Sequence, residues 1–227
     1  MFSAFDSIFT PENLLFLLKG AMTSLGIAAL SLLIGFVFGV LGASAKISNN
    51  KILRAIANVY VEVIRGTPML LQIMIIFNVV PIIITEITGN VFRMNYYLIG
   101  VVAMSINSGA YTTELIRSGI NGVDKGQWEA CQTLGLSRWQ TMRFVILPQA
   151  FKRIVPPIVS EFITLIKDSS LISCIGVSEL LLRTQVMGAN YSNYLVPLVT
   201  AGCMYLAMTL TVSYFARRLE RKLAASD

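Results

Sequence analysis

Residues 129–148 read EACQTLGLSRWQTMRFVILP. The stretch is polar in a chain that is 55% hydrophobic and only 13% charged, where an ordinary soluble domain carries roughly 25% charged residues. Its spacing divides it into two ordered pieces. Trp128, Cys131, Leu134 and Leu136 fall among Gln127, Glu129, Gln132 and Thr133, which allows a short amphipathic helix within 126–137. Gly135 suits a helix C-terminus, where the chain turns left-handed. Ser137 can then cap a second helix, which Pro148 is expected to break or kink. On the residues alone, two readings stand side by side: a docking element, or a helix lying on a membrane surface, since Trp128 and Trp139 favour interfaces.

Outward from this stretch the chain is apolar. Uncharged runs at Gly20–Ala45, Gly66–Thr85, Met94–Thr113 and Thr184–Ala216 are each long enough to cross a hydrocarbon core, which takes ~20 residues. A fifth run, Ile154–Ser178, is interrupted by Glu161, Lys167 and Asp168. The reading is an all-α membrane protein, one domain over 1–227, with five transmembrane helices near 14–45, 58–83, 94–120, 150–177 and 192–217. Asp6 and Glu12 with no basic n-region argue for an uncleaved first span rather than a signal peptide, with residues 1–12 as a short surface tail.

Basic residues set the expected topology. Putting the loop after span one in the cytoplasm collects Lys46, Lys51, Arg54, Arg117, Lys125, Arg138, Arg143, Lys152, Arg153, Arg217, Arg218, Arg221 and Lys222 on that side, 13 of the 18 basic residues. The positive-inside rule then gives an outside N-terminus and an inside C-terminus. The net charge of +6 is thereby a topology signal and does not call for nucleic acid. Three cysteines, Cys131, Cys174 and Cys203, form no disulfide pattern. The absence of histidine leaves no expected metal site.

Within the spans, Ser31, Gly35, Gly39 and Ala43 recur every four residues, a spacing that lets helix backbones approach closely in lipid; the partner helix could belong to this chain or to another subunit. The second span opens with Gly66, Thr67 and Pro68. Pro68 favours a kink, so this segment is either a capped, anchored helix start or a hinge. Glu62 and Arg65 are three apart and can pair on one face; so can Glu114 and Arg117, where a structural pair is expected. Pro81 and a polar segment, 85–95, are expected to end this hairpin outside.

The costly feature is SEFITLIKDSS, 160–170. Charges at membrane depth cost several kcal/mol and face interior cavities. Glu161 and Asp168, seven apart, return to one helical face to within about 20°, with Thr164 on the same stripe. Two carboxylates there suit a cationic ligand; the alternative is that Asp168 already sits at a helix end, broken at Ser169 and Ser170. Gln72, Asn107 and Ser108 are uncharged candidates for the same cavity, or helix-to-helix hydrogen bonds.

Several motifs carry a family resemblance. Glu129-Ala130-Cys131, then Gly135, Val145 and Leu147-Pro148, resembles the EAA loop of ABC importer permeases, with Cys131 in place of a second alanine and Val145 in place of isoleucine. VIRGTPMLLQ (63–72), SINSGAYTTELIRSGI (105–120) and SEFITLIKDSSL (160–171) resemble the polar amino acid uptake branch, with Ser160 where asparagine is more common. The similarity runs over roughly 14–223. It implies the type I ABC importer transmembrane domain in a bacterial cytoplasmic (inner) membrane. It also implies a second permease subunit, identical or not, and an extracytoplasmic amino-acid-binding protein. A cytoplasmic ATPase subunit would hold the ATP and magnesium, leaving no cofactor on this chain. Glu129, Ala130, Cys131, Leu134 and Gly135 would couple to that ATPase, while Glu161 and Asp168 match acidic residues that bind the amino acid in some members. Gly66, Thr67, Pro68 and Pro148 are the expected hinge positions.

The chain has no G-x-x-x-x-G-K-[ST] phosphate loop, so it is not expected to be an enzyme or the ATPase itself. The expected cargo is a polar, basic L-amino acid, with glutamine, cystine or another polar amino acid as the alternative. Two other classes are an ion-coupled secondary transporter using Glu161 or Asp168 and a non-transporting membrane scaffold.

Overall fold

A computed structural model describes residues 10–224. Most of the described chain is helical and none of it is in strands. The helices are α1 (Pro11–Ile47), α2 (Lys51–Arg65), α3 (Met69–Thr88), α4 (Tyr96–Asn121), α5 (Lys125–Thr133), α6 (Arg138–Gln140), α7 (Leu147–Asp168), α8 (Leu180–Asn190) and α9 (Leu195–Ala224). A π-helical turn, Thr141–Ile146, joins α6 to α7, and a 3₁₀ segment, Ser169–Ile175, follows α7.

The bundle is inside out relative to a soluble protein. Leu30, Leu33, Val37 and Leu41 on α1, Ile75, Ile82 and Ile83 on α3, and Leu206 and Leu210 on α9 are all exposed. Apolar surface on that scale marks faces meant for lipid or for another protein. By length and composition α1, α3 and Leu195–Lys222 of α9 can cross a membrane. The centre is α4, which buries Ser105, Asn107, Ser108, Thr112 and Thr113 among apolar neighbours. Polar groups are tolerated at such depth because they face protein instead of lipid.

The small-residue stripe of α1 packs within the chain, against α4. A Cβ on Gly35 would stand 2.9 Å from Cβ of Ser108, and one on Gly39 or Gly42 would run into Thr112 or Thr113. Ser31 is fully buried on the same stripe. At the α5 end of this seam, Glu114 receives Lys46 from α1 and Arg117 from its own helix (2.8 Å), the structural pair that the spacing suggested.

Several expectations need correction. Of the short tail expected over 1–12, residues 1–9 lie outside the described residues, while Pro11 and Glu12 already belong to α1, capped by Thr10. The stretch 58–83 is not one helix. Gly66 ends α2 and Pro68 caps α3, because Pro68 offers no N–H to continue the ladder and forces the preceding residue out of the helical region. Glu62 and Arg65 do not pair; the Arg65 guanidinium lies 5.1 Å from the centre of the Tyr111 ring instead. Pro81 does not end α3, which runs on to Thr88 and stops at left-handed Gly89. Pro148 does not break its helix either. It occupies the first turn of α7, directly after the π turn, whose wider winding re-satisfies the local backbone: Leu147 N–H reaches Met142 O, five residues back. Arg138 to Asp168 is therefore continuous helix. It ends at Ser169, where the 3₁₀ segment takes over, and Pro156 and Pro157 lie inside it.

Candidate functional site

Two features stand apart from ordinary packing. The first is α5. Asp124 caps it at the Gly126 N–H (2.7 Å). It ends in a Schellman motif, with Leu136 N–H on Cys131 O and Gly135 N–H on Gln132 O, both 3.0 Å. Gly135 takes the required left-handed turn, φ 71°. Ser137 and Gln140 then form a reciprocal capping box that starts α6. These local signals fix α5 as a separate helix with sharp ends.

Trp128 packs into the cluster of Ile116, Ile120, Val123, Ile146 and Ala150, holding α5 to the bundle. The opposite side is free: Glu129, Ala130 and Gly135 are exposed and Leu134 is 77% exposed. Cys131 departs from the set of proposed coupling contacts. It is buried and points inward, so it anchors the helix. The helix thus has an apolar root in the bundle and an outward face that carries Leu134.

The second feature is on α7. Glu161 and Asp168 are half-buried, and Glu161 lies beside the Ser108 hydroxyl and within electrostatic reach of Asp168. Among the described residues neither carboxylate is in an ion pair. The Ser108 hydroxyl is fully buried and has no hydrogen-bond partner of normal geometry. Thr164, on the same stripe, turns its hydroxyl back to Ser160 O (3.2 Å).

Gln72 and Asn107 go elsewhere. The Gln72 amide donates to Ile64 O (2.7 Å), Thr67 O (3.1 Å) and Thr67 Oγ1 (2.9 Å), and accepts from Asn107 (3.0 Å). Together they tie the α2–α3 break to α4 as a structural bracket. Of the polar residues expected in one cavity, Ser108 is thus the one placed against Glu161.

Sequence reasoning missed Glu179. It is fully buried at the start of α8 and accepts from Leu181 N–H (2.8 Å), Leu182 N–H (2.7 Å), Tyr205 OH of α9 (2.9 Å) and Ser24 OH of α1 (3.3 Å). A glutamate directly ahead of three leucines was the available signal for a helix start. The partners Ser24 and Tyr205 are remote in sequence and gave none.

With this geometry in place, comparison with known proteins is informative. Residues 31–225 match the family described as binding-protein-dependent transport system inner membrane component. The arginine transport system permease protein ArtQ of Bacillus subtilis is 40% identical over 93% of this chain and 94% of its own length. The glutamine transport system permease protein GlnP of Escherichia coli is 39% identical over 91% and 92%. A solved amino acid ABC transporter with histidines superposes with a TM-score of 0.86 at 35% identity, over 93% of this chain and 95% of that one. An inward-facing MetNI methionine transporter shares the fold at 19% identity, TM-score 0.74, over 95% and 99%. The chain belongs to the binding-protein-dependent transport system inner membrane component family, and within it to the ABC importer permeases of the polar amino acid branch, as a multi-pass protein of the inner membrane.

Proposed function

We propose that this chain moves a polar, basic L-amino acid into the cytoplasm as the permease subunit of an ATP-driven importer. The observation that carries the reading is Glu161 beside the buried Ser108 hydroxyl, with Asp168 within electrostatic reach and neither carboxylate in an ion pair among the described residues. A carboxylate at membrane depth with no cation in contact is costly to keep, and an ammonium or guanidinium group would complete it. Thr164 lies on the same stripe and is exposed.

Five spans carry the path, with 58–83 crossing as α2 and α3 together, the N-terminus outside and the C-terminus inside. The exposed α5 face, Glu129, Ala130, Leu134 and Gly135, receives a cytoplasmic ATPase subunit that holds ATP and magnesium. Cys131 supports that face from behind. A second permease subunit completes the cavity and an extracytoplasmic binding protein delivers the cargo. The Gly66–Pro68 break flexes as the cavity changes sides, whereas the helix through Pro148 moves as a rod. ATP drives this change only insofar as the nucleotide-bound ATPase favours the outward state.

Glutamine is the second reading, favoured by the similarity to the E. coli permease named for glutamine transport; an α-ammonium alone would satisfy Glu161. The deciding experiment is uptake into liposomes holding the chain with its ATPase and binding protein. ATP-dependent L-arginine uptake that fails in Glu161→Gln supports the basic reading. Uptake of L-glutamine but not L-arginine replaces it with the second. Uptake that continues without ATP and collapses with an ionophore sinks both.

A further inference from the structure

The carboxylates of α7 answer only the cationic end of an amino acid. Every amino acid also carries an α-carboxylate, which a guanidinium holds through strong charge-assisted hydrogen bonds. Arg65 is the candidate. It is the last residue of α2, directly before the break at Gly66, Thr67 and Pro68. Its only same-face acid, Glu62, does not hold it, and among the described residues no other carboxylate does. The guanidinium is instead positioned over the Tyr111 ring, 5.1 Å from its centre. A ring face orients a guanidinium while leaving its N–H edge available to an anion.

Tyr111 fixes where that edge lies. On α4 it follows Ser108 by three residues and Asn107 by four, so at 100° per residue it lies about 60° from the first and 40° from the second. Ser108 faces Glu161, and Asn107 holds Gln72 at the start of α3. The Tyr111 side chain thus stands between the α7 carboxylate and the α2–α3 break. It is 37% exposed, whereas Asn107 and Ser108 are buried. Arg65 and Glu161 accordingly approach neighbouring positions of one helix from two sides, one turn apart.

Resting on the reading of Glu161 above, we infer that Arg65, oriented by Tyr111, binds the α-carboxylate of the transported amino acid, so that the site reads a zwitterion from both ends. It also places one of the two charge contacts on the segment where α2 and α3 separate, which gives bound substrate a direct hold on that break.

The test uses the purified importer complex and two probes, L-arginine and L-argininamide, which differ only in the α-carboxylate. Wild type is expected to bind L-arginine about tenfold or more tightly than the amide, the strength of a charge-assisted contact. Arg65→Gln should abolish that preference by weakening L-arginine alone; Arg65→Lys should keep part of it; Tyr111→Leu should reduce it. A preference that survives Arg65→Gln, or an equal loss for both probes, overturns the assignment. Glu161→Gln separates the two readings. If it leaves both affinities unchanged, the α7 site itself fails. If it weakens both probes while Arg65→Gln keeps the preference, only the role of Arg65 fails.

Discussion

Glu179 and Glu161 are both acidic side chains of the helical bundle, and they are treated in opposite ways. Glu179 is fully buried and accepts four hydrogen bonds from three helices. Glu161 is half-buried, has no cation, and meets a hydroxyl that makes no normal bond. Glu114 lies between these extremes, shared by Lys46 and Arg117 near the α5 end. Satisfaction is the discriminating property. A carboxylate whose acceptor capacity is filled by its own chain is part of the framework. One left open is available to a ligand.

Substitutions can break or sharpen this contrast, and their effects on stability should descend in a definite order. Glu179→Ala strands two backbone N–H groups and two hydroxyls in an apolar site. Hydrogen bonds to a charged group contribute ~1.5–3 kcal/mol each, so a loss of about 3 kcal/mol or more is expected. Thermal unfolding of the detergent-purified protein measures it; an unchanged midpoint would dissolve the distinction from Glu161.

Glu114→Gln removes a partly exposed pair and should cost ~1 kcal/mol. The loss should shrink as salt is raised, and a salt-independent effect would point to packing. Gly135→Ala puts a Cβ into a left-handed turn at φ 71°, costing about 1 kcal/mol locally. Because the strain falls on α5 alone, ATP hydrolysis by the assembled importer should lose its response to loaded binding protein while amino acid binding is retained. If coupling survives, α5 is not the docking element.

Glu161→Gln should come last. No donor is stranded, so stability should stay within ~0.5 kcal/mol of wild type while L-arginine uptake falls at least tenfold. A large destabilisation here would make Glu161 a framework residue like Glu179.

What could be read from the sequence was local. The caps around α5 involve residues two to five apart, so Gly135 and Ser137 declared themselves. The α1 stripe was visible as spacing, but its partner on α4 is some 70 residues away and needed coordinates. The Glu161–Asp168 stripe followed from helical period, whereas the split of Gln72 and Asn107 from Ser108 did not, since adjacent residues on α4 diverge by 100°. Proline misled at 81 and 148, while at 68 the capped helix start was one of the two readings. At 68 it ends a helix completely; at 81 and 148 it ends nothing. Rules of local geometry give the fault in the ladder but not the neighbours that absorb it. Helix α8 overlaps the start of the uncharged run Thr184–Ala216, and Glu179, which marks where it begins, lies just ahead of that run.

The π turn at Thr141–Ile146 has a consequence for how this region can vary. From Arg138 to Asp168 the helix spans 31 residues, roughly 45 Å, with α5 attached at one end and Glu161 and Asp168 near the other. The compass bearing of the α5 face relative to those carboxylates is therefore set by counting. Exchanging exposed Arg143 or Phe144 alters a surface, but deleting one residue would restore ordinary winding and swing everything before it by about 100°. Length in this segment is thus what sets that bearing, and exchanges that keep the count leave it where it is.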